Sequence, residues 1–433
     1  MIQTRWPGLA MAQSAALNIA LSIALSLLSC VAGAQATSEA GAADDSAPGR
    51  TVDSLLAIAR QNNPEFSALR HEAQAAIERV APAGELMEPR LKVELQDITK
   101  AGEQGATAYT LTQEIPWAGK RDLRRDIATL DADAAQSRIR QNWVELAARI
   151  KALFVQRYLV QANERIASET LELMLQQEKV MQVRYAGGLA AQQDITRIHV
   201  EHTAMRAELV ALGAEWRQTQ TRLNTLLARP VQAPLATSSR LRPLPESAQL
   251  DLAALSDRLR NASPLLSVAA SGVLSAEKSR ELTNKSRYPD FTLGINAMQR
   301  QNTVKEWSLM VELNLPIRDR VLQSQERESE AMLAAAQSRQ QAAANQALAD
   351  LSDNLIALDA ARQTEHLMTY SLMPQADLTW RAALAAYENG KADFATLLDA
   401  QRQIRQARQS QIKAQADAQL RLIEIERLVG EEL

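Results

Sequence analysis

Cysteine is nearly missing: Cys30 is the only one in 433 residues. That excludes a disulfide framework, a thiolate zinc site and a thiol nucleophile. Charge of one sign is missing too. The formal net charge is -3, far from the basic excess and clustered Lys/Arg that mark nucleic-acid binding. Histidine is scarce, with His71 and His366 isolated, and no His-rich or Met-rich tract is present. No nucleophile–base constellation, phosphate loop or clustered ligand motif appears, which argues against an enzyme. Beyond the first 34 residues no apolar run approaches the ~20 needed for a membrane-spanning helix. A mature chain that enters a membrane must therefore do so as strands of a closed barrel.

The opening does contain one apolar run. Arg5 precedes LNIALSIALSLLSCVAGA, and small residues end it, the layout of a secretory signal. Residues 1–34 are read as that signal, so the protein is exported. Cleavage is expected after Ala34 or Ala36, or before Cys30 if LLSC acts as a lipoprotein box and Cys30 is acylated. Residues 35–50, small and acidic, read as a flexible tether.

The rest of the chain is a duplication. Pro64, Pro89 and Pro116 each recur 200 residues on, as Pro264, Pro289 and Pro316, within related contexts (NNPEFSAL/NASPLLSV, MEPRLKVEL/RYPDFTLGI, QEIPWAGKR/ELNLPIRDR). Gly188 pairs with Gly390 at a separation of 202. Repeats of this kind must be found before the fold is read. The first repeat spans residues 51–228 and the second 250–433; Pro230, Pro234, Pro243 and Pro245 mark a connector over 229–249.

Each repeat lacks helix breakers over a long stretch. Arg121 to Ala186 contains no proline or glycine, and apolar residues recur at three- and four-residue steps. One helix of 66 residues would span about 100 Å. The second repeat matches it from residue 317 to about Glu388, except that Pro374 predicts a bend where the first repeat has Glu172. Patterning resumes after Gly188 and Gly390, to about Arg229 and Val429, so each glycine predicts a turn between antiparallel helices. Such extended apolar seams call for coiled-coil packing against neighbours.

Strand signals precede each long helix. Leu91, Val93, Leu95 and Asp97 alternate with Lys92, Glu94 and Gln96; AYTLTQEI, DFTLGINAM and EWSLMVELNL alternate likewise. Segments of this length and pattern suit an outer-membrane barrel, and the competing reading is a small soluble hairpin packed on the helices. Four strands cannot close a barrel that needs at least about eight, so several chains must share one. Tyr109, Trp117, Tyr288 and Trp307 sit where an interface belt belongs, whereas Trp143, Trp216 and Trp380 fall in helices, as packing residues.

Taken together, the duplicated strand–helix layout, the YxxG turns (Tyr185 to Gly188, Tyr387 to Gly390), the proline before each strand pair and QEIPWAGKR resemble the TolC-type outer membrane factor family from about Thr51 to Gly430. The resemblance implies a fold that is mainly α with a small transmembrane β part. It further implies a homotrimer, with a 12-stranded β-barrel in outer-membrane lipid and a long periplasmic α-barrel. QEIPWAGKR and GKADFATLLDAQR look most like the CzcC/CusC heavy-metal branch. That branch implies a periplasmic adaptor, an inner-membrane resistance-nodulation-division (RND) pump and heavy-metal cations as cargo. Multidrug efflux, type I secretion and, from another class, an exported coiled-coil scaffold or adhesin are the alternatives.

The same resemblance suggests functional residues. Asp194 and Asp399 match acidic positions that constrict the periplasmic entrance, while Thr396 departs from the family's double-aspartate pattern. Tyr387 is expected to hydrogen-bond Asp194 and hold the entrance shut. Tyr185, Gly188, Leu189, Gly390 and Lys391 at the hairpin tips are expected to meet the adaptor. His199 and His202, three apart, have the spacing of a one-turn metal pair, against the plainer reading of surface residues; no cofactor is expected.

Overall fold

A computed structural model describes residues 48–96, 105–237, 240–301, 303–317 and 319–433. The signal segment, Cys30, most of the tether and Asp97 lie outside them. The first repeat begins with α1 (Val52–Asn62), α2 (Pro64–Glu78) and the short α3 (Val80–Gly84), followed by β1 (Arg90–Gln96) and β2 (Ala106–Ile115). Then come α4 (Lys120–Ala186) and α5 (Gln192–Leu226). The second repeat has α6 (Leu252–Ala262), α7 (Pro264–Lys285), β3 (Asp290–Arg300) and β4 (Thr303–Asn314), then α8 (Asp319–Leu367), a π-helical turn (Met368–Leu372), α9 (Met373–Glu388) and α10 (Phe394–Val429). The proline landmarks sit at equivalent places, with Pro64 and Pro264 opening helices at a position where no donor is lost.

At 67 residues α4 is uninterrupted, about 100 Å of helix. Its counterpart is broken where Pro374 predicts a break. Pro374 has no N–H, and its ring crowds the carbonyl of Tyr370. The chain answers with one wider turn, in which the Met373 N–H reaches back to Met368 O.

The strands form one antiparallel sheet in the order β1-β2-β3-β4. The two repeats therefore meet edge to edge, β2 against β3, and leave β1 and β4 as open edges. Register puts the alternating apolar residues on one face, in rows Leu91–Leu111–Ile295–Leu309 and Val93–Tyr109–Ala297–Trp307. That face is bare; Leu309 is 77% exposed. A soluble hairpin packed on helices would bury it, so the sheet is built for an apolar solvent. Trp117 stacks on Tyr288 (5.1 Å) and Phe291 (5.7 Å) at the helix end of the strands. Tyr109 and Trp307 share a row eight residues further along β2, about 27 Å away, close to the height of a membrane barrel's apolar band.

Where strands hand over to helices, the residues of QEIPWAGKR have a physical role. Lys120, 5% exposed, donates to Tyr288 O (2.9 Å) and pairs with Asp290 (2.8 Å), and Asp290 also accepts from the Trp117 N–H (2.7 Å). The start of the first long helix is thereby fastened to the second repeat's sheet.

At the other end of α1 and α6 two equivalent cores form. Leu55, Ala59, Ile150, Leu223 and Leu227 pack in one, Leu255, Leu259, Leu351, Ile425 and Val429 in the other, and Ala148, Val155, Ala416 and Ile423 join the repeats between them. Among its described residues the connector has no helix or strand until Ser247–Leu250, so its carbonyls need partners. Side chains supply them. Arg157, 1% exposed and stacked on Trp216 (4.2 Å), donates to Leu235 O (2.7 Å), and Asn224 donates to Val231 O and Ala233 O. Burial lowers the Arg157 pKa to about 10. Glu426 is held by Lys151 (3.0 Å) and Arg242, linking α4, the connector and α10. Pro48 and Gly49, assigned from sequence to the flexible tether, are tied down instead: Pro48 O accepts from the Ala236 N–H (3.0 Å) and the Gly49 N–H donates to Ser54 Oγ (3.2 Å).

Among the described residues no helix is long and apolar enough to cross a membrane.

Candidate functional site

Both long hairpins turn by the same device. At the first tip the Gly188 N–H donates to Tyr185 O (2.9 Å) and the Leu189 N–H to Arg184 O (2.8 Å); at the second, Gly390 donates to Tyr387 O (3.1 Å) and Lys391 to Ala386 O (2.8 Å). This paired bonding is a Schellman cap, which needs a left-handed residue after the helix. Gly188 (φ 70°) and Gly390 (φ 69°) provide it. A Cβ at either would meet nothing within 4 Å, so glycine is required there by backbone angle and not by space. Tyr185, Gly188, Leu189, Gly390 and Lys391 are all exposed, and Leu189 is 73% so.

Behind the turns the hairpins share one core. Met174 and Met181 of α4, Ile198 and Met205 of α5, Ala383 of α9, and Phe394, Leu397, Leu398 and Ala400 of α10 pack together. Tyr387 leans against this core, its ring edge-on to Phe394 (5.9 Å) and beneath the Arg184 guanidinium (4.8 Å). Its hydroxyl donates to Met181 Sδ. The Asp194 hydrogen bond expected from sequence is thus not made within the protomer, because a thioether of the shared core takes the phenol proton. Asp194 is still near: burial raises the Tyr387 pKa, and the Asp194 charge adds to the rise against an opposing effect of Arg184.

Both aspartates expected at the entrance lie beside arginines. Asp194 lies 4.0 Å from Arg197. Asp399, 64% exposed, pairs with Arg402 (3.1 Å), which also binds Glu201 of α5. Thr396, where the family's second aspartate was missed, has a different task. Its N–H and hydroxyl both donate to Asp393 (2.9 and 2.6 Å), making Asp393 the N-cap of α10. These hydrogen bonds hold the Asp393 carboxyl below its usual pKa. Asp393, Arg184, Arg197, Glu201 and Arg402 were not singled out from sequence. Asp393 was legible there, as Asp-x-x-Thr at a helix start, and Arg197 and Arg402 as residues three positions after Asp194 and Asp399; Arg184 and Glu201 carry no local signal.

His199 and His202 both turn to Glu178 of α4, at 3.0 and 3.9 Å. Among the described residues no three His, Cys, Asp or Glu side chains form a group that could hold a metal ion. The pair braces the α4–α5 hairpin.

Residues 55–229 and 255–431 each match the family described as outer membrane efflux protein. The chain belongs to that family. The two matched segments overlap the two repeats, and the family assigns the molecule to the outer membrane, with a long periplasmic helical part, as a channel subunit and not an enzyme. Among curated relatives, the chain is 23% identical to the cobalt-zinc-cadmium resistance protein CzcC of Cupriavidus metallidurans over 83% of its own length and 84% of that protein. It is 24% identical to the pyoverdine export outer membrane protein OpmQ of Pseudomonas putida, over 84% of the chain and 82% of that protein. Among solved structures, CusC superposes with a TM-score of 0.76 at 16% identity, covering 89% of this chain and 92% of that one. Outer membrane efflux channels are homotrimers, and three copies of this sheet supply twelve strands.

Proposed function

We propose that this outer membrane efflux protein is the passive exit duct for heavy-metal cations in a tripartite system with a periplasmic adaptor and an RND-type inner-membrane pump. The observation that carries the cargo is the similarity to CzcC along more than four-fifths of both chains. A duct must not hold its cargo tightly, and the tips offer carboxylates already engaged by arginine. The duct needs copies of itself. One side of the protomer, α5, presents Val200, Thr203, Ala207 and Val210 to solvent; the other, α8 through α9, presents Ile356, Leu367, Tyr370 and Leu378. Small residues on one edge and large ones on the other suit knobs-into-holes packing between neighbours, in line with the open β1 and β4 edges. The adaptor is expected at the exposed tips, Tyr185 to Leu189 and Gly390 to Lys391.

Similarity to OpmQ supports a second reading, export of a metal-chelating small molecule. A deletion strain tested against cobalt, zinc, cadmium, copper and silver salts, siderophores and drugs separates them. Metal efflux predicts at least about fourfold lower tolerance to one or more metals, restored by the gene. Loss of drug or siderophore export alone, with metal tolerance intact, contradicts it.

A further inference from the structure

Arg402 differs from the next two arginines of α10. Arg405 pairs with Glu208 (2.9 Å) and Arg408 with Glu169 (3.5 Å), each with one carboxylate of the first repeat. Arg402 is shared. One Nη binds Glu201, whose side chain is only 13% exposed, and the other binds Asp399, 64% exposed. Hydrogen bonding to Glu201, the largest influence, raises the Arg402 pKa, so the guanidinium stays charged. Glu201 thus anchors the cation from the first hairpin, and the cation in turn neutralises the exposed carboxylate on the second.

We propose that Arg402 is the residue that sets the ion selectivity of the tip, by holding back the charge of Asp399. Two carboxylates and one guanidinium leave one net negative charge per protomer at this level; without Arg402 two remain. In a trimer that doubles the negative charge of the ring, where low-dielectric walls focus the field. The proposal rests on the channel reading but not on the identity of the cargo, so the sensitivity panel and the test below fail independently.

The test is planar-bilayer recording of the purified full-length channel in a salt gradient. Arg402→Gln, which keeps a hydrogen-bonding side chain, should raise the cation-to-anion permeability ratio about threefold and lower the half-blocking concentration of hexaamminecobalt about tenfold. Arg402→Lys keeps the charge and loses the fork, and should hold the wild-type ratio. Glu201→Gln should lower the ratio, and it serves if Arg402→Gln fails to assemble. An unchanged ratio in Arg402→Gln, even with altered conductance, overturns the proposal. So does an Arg402→Lys variant that shifts the ratio as far as Arg402→Gln.

Discussion

The two hairpins of one protomer are built on the same plan and finished differently. The outgoing helix of the first, α4, is regular from Lys120 to Ala186, whereas that of the second breaks at Met368–Leu372 ahead of Pro374. The returning helix of the first, α5, starts at Ala191 with no side-chain cap; that of the second, α10, starts at Asp393 with one. The tips differ as well, since Leu189 presents an apolar surface where the second hairpin presents Lys391. Two copies of one unit have therefore acquired an uninterrupted member and one interrupted by a π turn. The difference lies in a few residues, and substitutions can erase it.

The largest effect is expected at the tips. Leu189→Arg should abolish resistance while leaving trimer yield unchanged, because a bulky charge would desolvate poorly against a docked adaptor. Lys391→Leu makes the second tip resemble the first and should cost far less. Resistance that survives several charged substitutions at Leu189 would place docking elsewhere.

A smaller effect is expected at the joint. Pro374→Ala returns a backbone donor to the helix and removes the ring clash with Tyr370. Hydrogen exchange across residues 366–376 should slow by about tenfold, the equivalent of about 1.4 kcal/mol, and approach that of the matching stretch of α4. Exchange that stays unchanged would mean that tertiary packing, and not proline, makes the π turn.

The smallest concerns the caps. Asp393→Ala should destabilise the start of α10 by about 1 kcal/mol, and Ala191→Asp should stabilise α5 by a similar or smaller amount. Amide exchange in the first turns of both helices reads the two changes directly. Equal and negligible effects would mean that trimer contacts, not caps, fix both helix starts.

Much of this plan is legible in the sequence, for local reasons. Proline and glycine punctuate a chain that otherwise avoids them, so the repeat period, the tips and the break at Pro374 can be read without a partner. The alternation in LKVELQDI or DFTLGINAM likewise declares one bare apolar face. What cannot be read is long-range. Lys120 and Asp290, or Arg402 and Glu201, each look like ordinary surface charges until the fold sets them side by side. Connector residues 229–249 can be read only as a proline-rich link without helix, because Arg157 and Asn224, which fix its carbonyls, arrive from other elements. The Asp194–Tyr387 bond, implied by family resemblance, gives way within the protomer because the Tyr387 hydroxyl donates to Met181 Sδ instead.

The central claim is that three chains close one barrel by joining the open edge of β1 to that of β4. Near-absence of cysteine makes this directly testable. In the otherwise unchanged chain, whose single Cys30 is either cleaved off with the signal or acylated, cysteines at Leu91, Val93 or Leu95 are combined in turn with cysteines at Leu309, Val311 or Leu313 and oxidised in native membranes. Disulfides form only where Cα atoms approach within about 7 Å. The account predicts that at least one combination gives a cross-linked ladder ending at a covalent trimer. Monomers alone in every combination, or a ladder running past the trimer, would contradict it.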